Sequence, residues 1–365
     1  MDKNRRKNGK KIVCAISGGL DSAVAAALLK RDQFNVIGVF LKFWSESEGA
    51  GKENRCCSSE SEIRARKVAE ILKIPFYVFD FSREFKRKIV ERFLGDYKKG
   101  LTPNPCVVCN KEIKFGLLLE KTLKIKADFI ATGHYARKKE NFLNSSSDIG
   151  KFSLLKAKDK EKDQSYFLWM LNQEQLKRIL FPIGDYKRSE VEGLARKFKL
   201  PVLKAKKSVE ICFVEKTVND FLSKYLKEKP GKIIDNQGKI LGEHKGLWFY
   251  TIGQRKGIGL SGGPFWVIGK DLKRNILIVT KNEKDLLKKE LIFKDVNWIS
   301  GKEPKLPLKI KAKIRYRHRP ASAMIYKLKD KIYHLKFLKP QRAITPGQSV
   351  VFYKKNQVIG GGIII

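Results

Sequence analysis

At 365 residues, with 42% hydrophobic and 10% aromatic content, the chain is long enough for two or three ordinary domains and lies away from disordered and fibrous compositions. Lys and Arg number 78 against 38 Asp and Glu, a formal net charge of +40 that favours a polyanion such as nucleic acid, although a Lys-rich proteome with solvated lysine faces gives the same excess. No apolar run approaches the roughly 18 residues of a membrane span, and Ile12 to Ile16 is too short for an export signal, so no membrane partner and a cytoplasmic location are expected.

After a basic tail, MDKNRRKNGK, Lys11 to Ile16 reads as a buried strand, followed through a Gly-Gly turn by an Ala- and Leu-rich helix over Ser22 to Leu29. Next come the apolar run Val36 to Leu41, a helix with Ala65, Val68, Ala69 and Leu72 on one face, the run Phe76 to Phe81, and a strand over Ala127 to Thr132. The alternation predicts an α/β domain with a parallel sheet and crossover helices. Asn141 to Gly150, with three consecutive serines, reads as an exposed loop. Beyond about residue 220 the texture changes to short β-prone stretches: Lys232 to Ile234, Lys239 to Leu241, Leu247 to Ile252 and Phe265 to Ile268. From about 285 the segments Leu308 to Tyr316, Ala323 to Leu328, Lys331 to Phe337, Ser349 to Tyr353 and Val358 to Ile365 predict a small β-barrel. The expected division is therefore 1–219, a nucleotide-binding α/β domain; 220–284, a small β-rich domain; and 285–365, the barrel.

The hexapeptide Ser17-Gly18-Gly19-Leu20-Asp21-Ser22 stands between the first strand and the first helix, where backbone N–H groups and the helix dipole hold phosphate. The glycines let the backbone approach a ligand closely, the serines add hydroxyls, and Asp21 can orient Mg²⁺ or a neighbouring amide. A plain tight turn is the bland rival. No Walker loop is present, and Gly257-x-Gly259-x-x-Gly262 spells a dinucleotide fingerprint but runs into Gly263-Pro264 and a strand-like FWVIG, so no helix opens there.

The six cysteines are Cys14, Cys56, Cys57, Cys106, Cys109 and Cys212. TPNPCVVCN (Thr102 to Asn110) places Cys106 and Cys109 behind a proline-stiffened loop, and a helix with Lys111, Ile113, Phe115 and Leu117 is expected to follow. At that helix's N-terminus, the dipole and Lys111 favour the thiolate of Cys109. A zinc site would need two further ligands from Cys56, Cys57 or Cys212, and no permanently bound metal is expected. Cys212, alone in an apolar stretch, reads as core.

Taken together, SGGLDS, TPNPCVVCNKEIKFG, ATGHYAR (Ala131 to Arg137), KDQSYFL (Lys162 to Leu168), EICFV (Glu210 to Val214), GEHKGLWFYTIGQRKGIG (Gly242 to Gly259) and RYRH (Arg315 to His318) resemble, nearly end to end, the tRNA-specific 2-thiouridylases of the PP-loop ATP pyrophosphatase superfamily. The resemblance implies that Cys109 is the nucleophilic or resolving thiol and Cys212 the persulfide carrier. It implies that ATP lies against Ala15, Ile16, Ser17, Gly18, Gly19, Leu20, Asp21, Ser22, Leu41 and Gly133, with Mg²⁺. It places the anticodon stem-loop of tRNA against Asn104, Pro105, Cys106, His134, Lys162, Asp163, Gln164, Arg315, Tyr316 and Gln348. Leu41 stands where relatives often carry Met, and Cys106 where many carry an acid. Cys56 and Cys57 read as structural or weakly metal-binding.

The activity so implied is adenylation of the C2 oxygen of the wobble uridine, then sulfur transfer from a persulfide loaded by a cysteine desulfurase or relay protein, by a chain that is monomeric without tRNA. Two rivals stand beside it. One is another PP-loop enzyme that adenylates and then uses an amine nucleophile, as in lysidine or amide formation, which needs no cysteine pair. The other is a catalytically idle RNA-binding protein.

Overall fold

A computed structural model of the chain describes residues 9–46, 58–141, 151–203 and 211–365. The basic tail up to residue 8, the serine-rich segment from 142, the lysine run from 204 with Glu210, and Cys56 and Cys57 lie outside the described residues.

The first strand, β1 (Lys11–Ala15), is apolar throughout its middle because it is the centre of a parallel sheet covered on both faces. Ile12, Val13 and Cys14 are fully buried. On one side lie β2 (Asn35–Lys42) and β3 (Phe76–Asp80); on the other lie β4 (Phe129–Ala131) and β7 (Ile179–Leu180), giving the order β3-β2-β1-β4-β7, all parallel. Helix α1 (Leu20–Arg31) is buried from Ala23 to Leu29, packed among sheet and helices, whereas α2 (Ser59–Leu72) buries only Ser61, Ala65, Val68 and Ala69 and keeps its charges outside. The chain leaves β1 toward β2 and returns on the opposite side as β4. The loops after β1 and β4 therefore part at the sheet's carboxyl edge and open a crevice, the usual ligand position in such sheets.

The small β domain is a four-stranded sheet of β8 (Gly231–Ile234), β9 (Ile240–His244), β10 (Trp266–Asp271) and β11 (Ile276–Thr280). Leu247 to Ile252, expected as a strand, is instead a single 3₁₀ turn over Leu247–Phe249 and an extended exit. Its buried residues, Leu247 and Tyr250, are three apart, the period of a 3₁₀ turn and not the two of a strand. The segment Gly257 to Pro264 is a loop that feeds β10, with no helix after it.

Six antiparallel strands close the barrel: β12 (Leu287–Trp298), β13 (Leu308–Lys313), β14 (Ala321–Lys329), β15 (Ile332–Arg342), β16 (Ser349–Lys354) and β17 (Gln357–Ile364), with β12 meeting β17. β13 ends three residues before the expected Tyr316, and Arg315 to His318 form a turn closed by His318 N–H donating to the Arg315 carbonyl at 3.1 Å. The α/β domain lends this barrel a hairpin that the sequence did not announce. β5 (Ala136–Glu140) and β6 (Phe152–Lys156) leave the crevice directly after β4, and β6 pairs with β17 at Leu155↔Gln357 and Leu154↔Val358. Apolar packing is continuous across this join, with Leu154, Tyr166, Trp169, Val351, Tyr353 and Val358 in one cluster.

Candidate active site

Ser17 to Ser22 form a tight loop on the carboxyl edge of β1. The Ser22 hydroxyl donates to the Gly19 carbonyl at 3.0 Å and accepts from Ser17 N–H at 3.0 Å, and the Ser17 and Ser22 hydroxyls lie 3.1 Å apart. Gly18 needs to be glycine: its φ is +73°, and a Cβ there would meet the Ser61 carbonyl oxygen of α2 at 2.2 Å. Gly19 is the N-cap of α1 and carries no side-chain cap, so the first-turn amides keep their dipole for a ligand such as phosphate. Gly133 closes the crevice from the β4 side, where a Cβ would lie 2.6 Å from the backbone of Asp21 and Ser22. Leu41, near the end of β2, is buried in the apolar wall.

Asp21 is held on two sides. Its Oδ1 accepts from the Tyr135 hydroxyl at 3.0 Å and from the Arg188 guanidinium at 2.8 Å, while Arg188 also donates to Glu192 at 3.0 Å. Burial holds the Asp21 carboxyl above its ordinary value against the pull of Arg188 and Tyr135. His134 accepts or donates at Nδ1 to the Thr132 hydroxyl at 2.7 Å and sits among Phe115 and Phe181; burial, with Lys114 nearby, keeps its imidazole neutral. Gln164 pairs with Tyr135 twice: its N–H donates to the Tyr135 carbonyl at 2.8 Å and its Oε1 accepts from Tyr135 N–H at 3.0 Å. Asp163 is buried and accepts from Ala157 N–H, Ser165 N–H and the Ser165 hydroxyl, whereas Lys162 is exposed.

The cysteine helix begins earlier than expected. Pro105 occupies its first turn, where a missing N–H and fixed φ cost nothing, and Asn104 is the N-cap position; the helix then continues through a π-type stretch to Lys124. The proline thus starts the helix and does not stiffen a loop ahead of it. Cys106 lies in the first turn and is half-buried, while Cys109 is a turn further in and buried. Cys212 stands on a turn whose neighbour Phe213 is wedged edge-on between Phe93 and Phe85, at 5.2 and 5.9 Å. Cys109 and these aromatic rings belong to one apolar cluster, and Cys212, partly buried, packs against it. None of Cys14, Cys106, Cys109 and Cys212 is in a disulfide, so a Cys109–Cys212 disulfide is no structural crosslink of this fold. Cys14 is inert core, its thiol pushed up to about 12 by burial.

Both β domains grip the loop before the cysteine helix. Thr102 N–H donates to the Pro346 carbonyl at 2.9 Å, Gln348 Nε2 donates to the Thr102 carbonyl at 2.8 Å, and Lys270 Nζ donates to the Gly100 carbonyl at 3.1 Å. Arg315 spans the barrel and the small domain, donating to the Ile252 carbonyl at 2.9 Å and to the Thr345 hydroxyl at 2.6 Å. Tyr316 lies over Phe167, ring centroids 4.5 Å apart.

Residues 10–216 match the family described as tRNA methyl transferase HUP domain, 219–281 its PRC-barrel domain, and 288–364 the aminomethyltransferase beta-barrel domain. Over the whole length, the chain is 46% identical to tRNA-specific 2-thiouridylase MnmA 2 of Thermoanaerobacter sp. strain X514, across 97% of each chain. The chain belongs to the tRNA-specific 2-thiouridylase family. It is also 44% identical to the Clostridium perfringens 2-thiouridylase (97% of this chain, 98% of that one) and 43% identical to that of Clostridioides difficile, with the same coverage.

Within this 2-thiouridylase chain, sequence reasoning missed Tyr135 and Arg188 as partners of Asp21, and Thr251 and Lys270 as supports of the loop at 100–104. Tyr135 and Thr251 had a signal, lying inside ATGHYAR and GEHKGLWFYTIGQRKGIG. The Arg188 contact has a pH signature. Because the folded-state pKa of Asp21 is raised, its ionisation costs stability: that stability is complete below the unfolded pKa and is lost as pH rises through the folded one. Arg188 offsets the loss. Arg188→Gln is expected to lower stability near neutral pH by about 1 kcal/mol, discounted for the partial exposure of both groups. The deficit shrinks near pH ~3, where Asp21 is protonated folded and unfolded. Urea melts at the two pH values check this; an equal deficit at both would assign Arg188 to packing.

Proposed function

We propose that this protein is an ATP-dependent tRNA-uridine 2-sulfurtransferase that converts the wobble uridine of an anticodon to 2-thiouridine, with AMP and pyrophosphate as the other products. The observation that carries the reading is the packing of Cys212 against the apolar cluster that holds Cys109, in a chain similar end to end to proteins named 2-thiouridylases. The uncapped α1 terminus, with Gly18 and Gly133 leaving no room for side chains, fits a nucleotide phosphate. Mg²⁺ would supply charge neutralisation at the phosphates, with Asp21 the carboxylate at hand.

In the proposed sequence the uridine C2 oxygen attacks the α-phosphorus of ATP, the bond to pyrophosphate breaks, and a poor leaving group becomes AMP. The terminal sulfur of a Cys212 persulfide then attacks C2. Cys109 thiolate attacks Cys212 Sγ, the S–S bond of the persulfide breaks, and AMP leaves as the C2=S bond completes. The sulfane sulfur gains the electron pair that the two thiols lose on forming their disulfide, and an external dithiol restores them. His134, neutral and anchored by Thr132, can donate or accept a hydrogen bond at the base without a charge. Asn104, Pro105 and Cys106 would flank the base. Lys162, Asp163, Gln164, Arg315, Tyr316 and Gln348 would form the RNA-facing rim, most of them by fixing backbone around it.

The working division is 1–219 for chemistry, 220–284 and 285–365 for holding the loop and the RNA. A cytoplasmic monomer that meets tRNA and a desulfurase or relay protein fits this reading; no helix among the described residues is long and apolar enough to cross a membrane. The test is pyrophosphate release measured with and without unmodified tRNA, followed by mass analysis of the nucleosides. The expected result is tRNA-dependent release and a uridine heavier by the exchange of oxygen for sulfur. Release that persists after thiol alkylation, with an amine-substituted nucleoside, would favour the amine-using rival; no release under any condition would favour an idle RNA binder.

A further inference from the structure

A pair of lysines beside the 162–164 segment has no role in the chemistry above. Lys156 ends β6 and Lys313 ends β13, so the join between the α/β domain and the barrel brings them to one place. Lys156 Nζ lies 4.2 Å from the centre of the Tyr353 ring, and Lys313 Nζ lies 5.4 Å from that of Tyr316 and 5.8 Å from that of Tyr166. Both are half-buried, and neither forms a salt bridge with a described residue. The carboxylate that acts on both is Asp163, whose oxygens already accept three hydrogen bonds from Ala157 and Ser165. Two ammonium groups thus share one committed carboxylate in a partly desolvated place. Such an arrangement is unfavourable until an anion joins it. In line with this, burial lowers the pKa of both lysines, and each is opposed by a neighbouring lysine: Lys156 by Lys311, and Lys313 by Lys156.

We infer that Lys156 and Lys313 bind a phosphodiester of the substrate RNA, next to a base stacked on Tyr316. The inference rests on the tRNA reading above. A cationic pair with an aromatic ring at its edge is the minimum that a single-stranded nucleotide unit requires: charge for the phosphate and a flat face for the base. The phosphate chain of ATP is the other source of such an anion, but it has its own amides at α1. The 162–164 segment stands between the two places, with Lys162 acting on Asp21 of the nucleotide loop and Asp163 acting on the lysine pair.

The test uses the full chain with Lys156→Gln and Lys313→Gln together, and the Arg pair as control. Binding of an unmodified anticodon stem-loop is followed over a salt series, alongside the KM for ATP. The Gln pair is expected to bind about tenfold more weakly at low salt, with the slope of log affinity against log salt smaller by about 0.7, while the KM for ATP holds and the Arg pair binds as the parent. Loss of packing alone would lower the melting temperature but leave the salt slope unmoved. If the Gln pair does not fold, the two single variants carry the same measurement, each with a smaller drop in slope. Parent-like affinity and slope in the Gln variants overturn the inference, as does a raised KM for ATP with unchanged RNA binding. A parent protein that binds no RNA overturns the tRNA reading itself.

Discussion

Cys212→Ser is expected to retain tRNA-dependent pyrophosphate release and to lose persulfide-dependent thiolation by about 10³-fold or more. Adenylation needs the nucleotide loop and the base, and Cys212 belongs to neither; it stands on the turn pinned by Phe213 against Phe85 and Phe93. A hydroxyl cannot carry a sulfane sulfur, so the loss should be complete and not graded. The substitution is nearly isosteric at a half-buried site, and burying part of a hydroxyl among apolar groups costs on the order of 1 kcal/mol, too little to unfold the chain. The two assays therefore separate cleanly: an adduct forms and goes no further. Cys109→Ser differs in kind, since the persulfide would still load on Cys212 but its S–S bond would lack the internal thiol that breaks it. Full thiolation by Cys212→Ser would remove this residue from the chemistry and leave Cys106 or Cys109 as carrier.

The legible part of this molecule is the part governed by local pattern. β1 and β2 are continuous apolar runs because both faces of a parallel sheet are covered, and in the Gly-Gly turn between β1 and α1 only glycine at position 18 escapes a clash. What stayed hidden depends on partners far along the chain. β5, spelled ARKKE, has no apolar alternation and becomes a strand only because β6 meets β17 of the barrel. Asp21 was visible, but its hold by Tyr135 and Arg188 spans 114 and 167 residues. Arg315 and Gln348 looked like surface contacts for RNA, yet each also ties the barrel to another domain, at Ile252 and Thr102. A cation in a sequence cannot declare whether it faces a phosphate or a carbonyl. The start of the cysteine helix was misplaced for a related reason: Pro105 punctuates a loop and opens a helix with the same letter, and Asn104 ahead of it settles the choice only once the backbone is seen.

Gly133→Ala is expected to cut kcat/KM for ATP by about 10²-fold with the chain still folded. The added Cβ would stand 2.6 Å from both the Asp21 carbonyl carbon and the Ser22 nitrogen, so the atoms that must yield are backbone atoms of the nucleotide loop, not the tip of a flexible side chain. The loop cannot retreat, because on its far side Gly18 already packs on the Ser61 carbonyl, and the Ser17–Ser22 hydrogen bonds tie its two ends together. Either the α1 terminus shifts by several tenths of an ångström or β4 and its exit do. Both moves misplace the amides against the phosphates, and the same strain should destabilise the fold by roughly 1–3 kcal/mol. Gly193→Ala is the matched control: it lies on the helix over Arg188–Lys197, where a Cβ meets nothing within 4 Å, and a helix gains slightly from the change. Steady-state ATP titrations of the two variants, with denaturant melts of each, check the contrast. Parent-like ATP kinetics in Gly133→Ala would mean that the β4 exit yields without moving the loop, and that no wedge stands behind the phosphates.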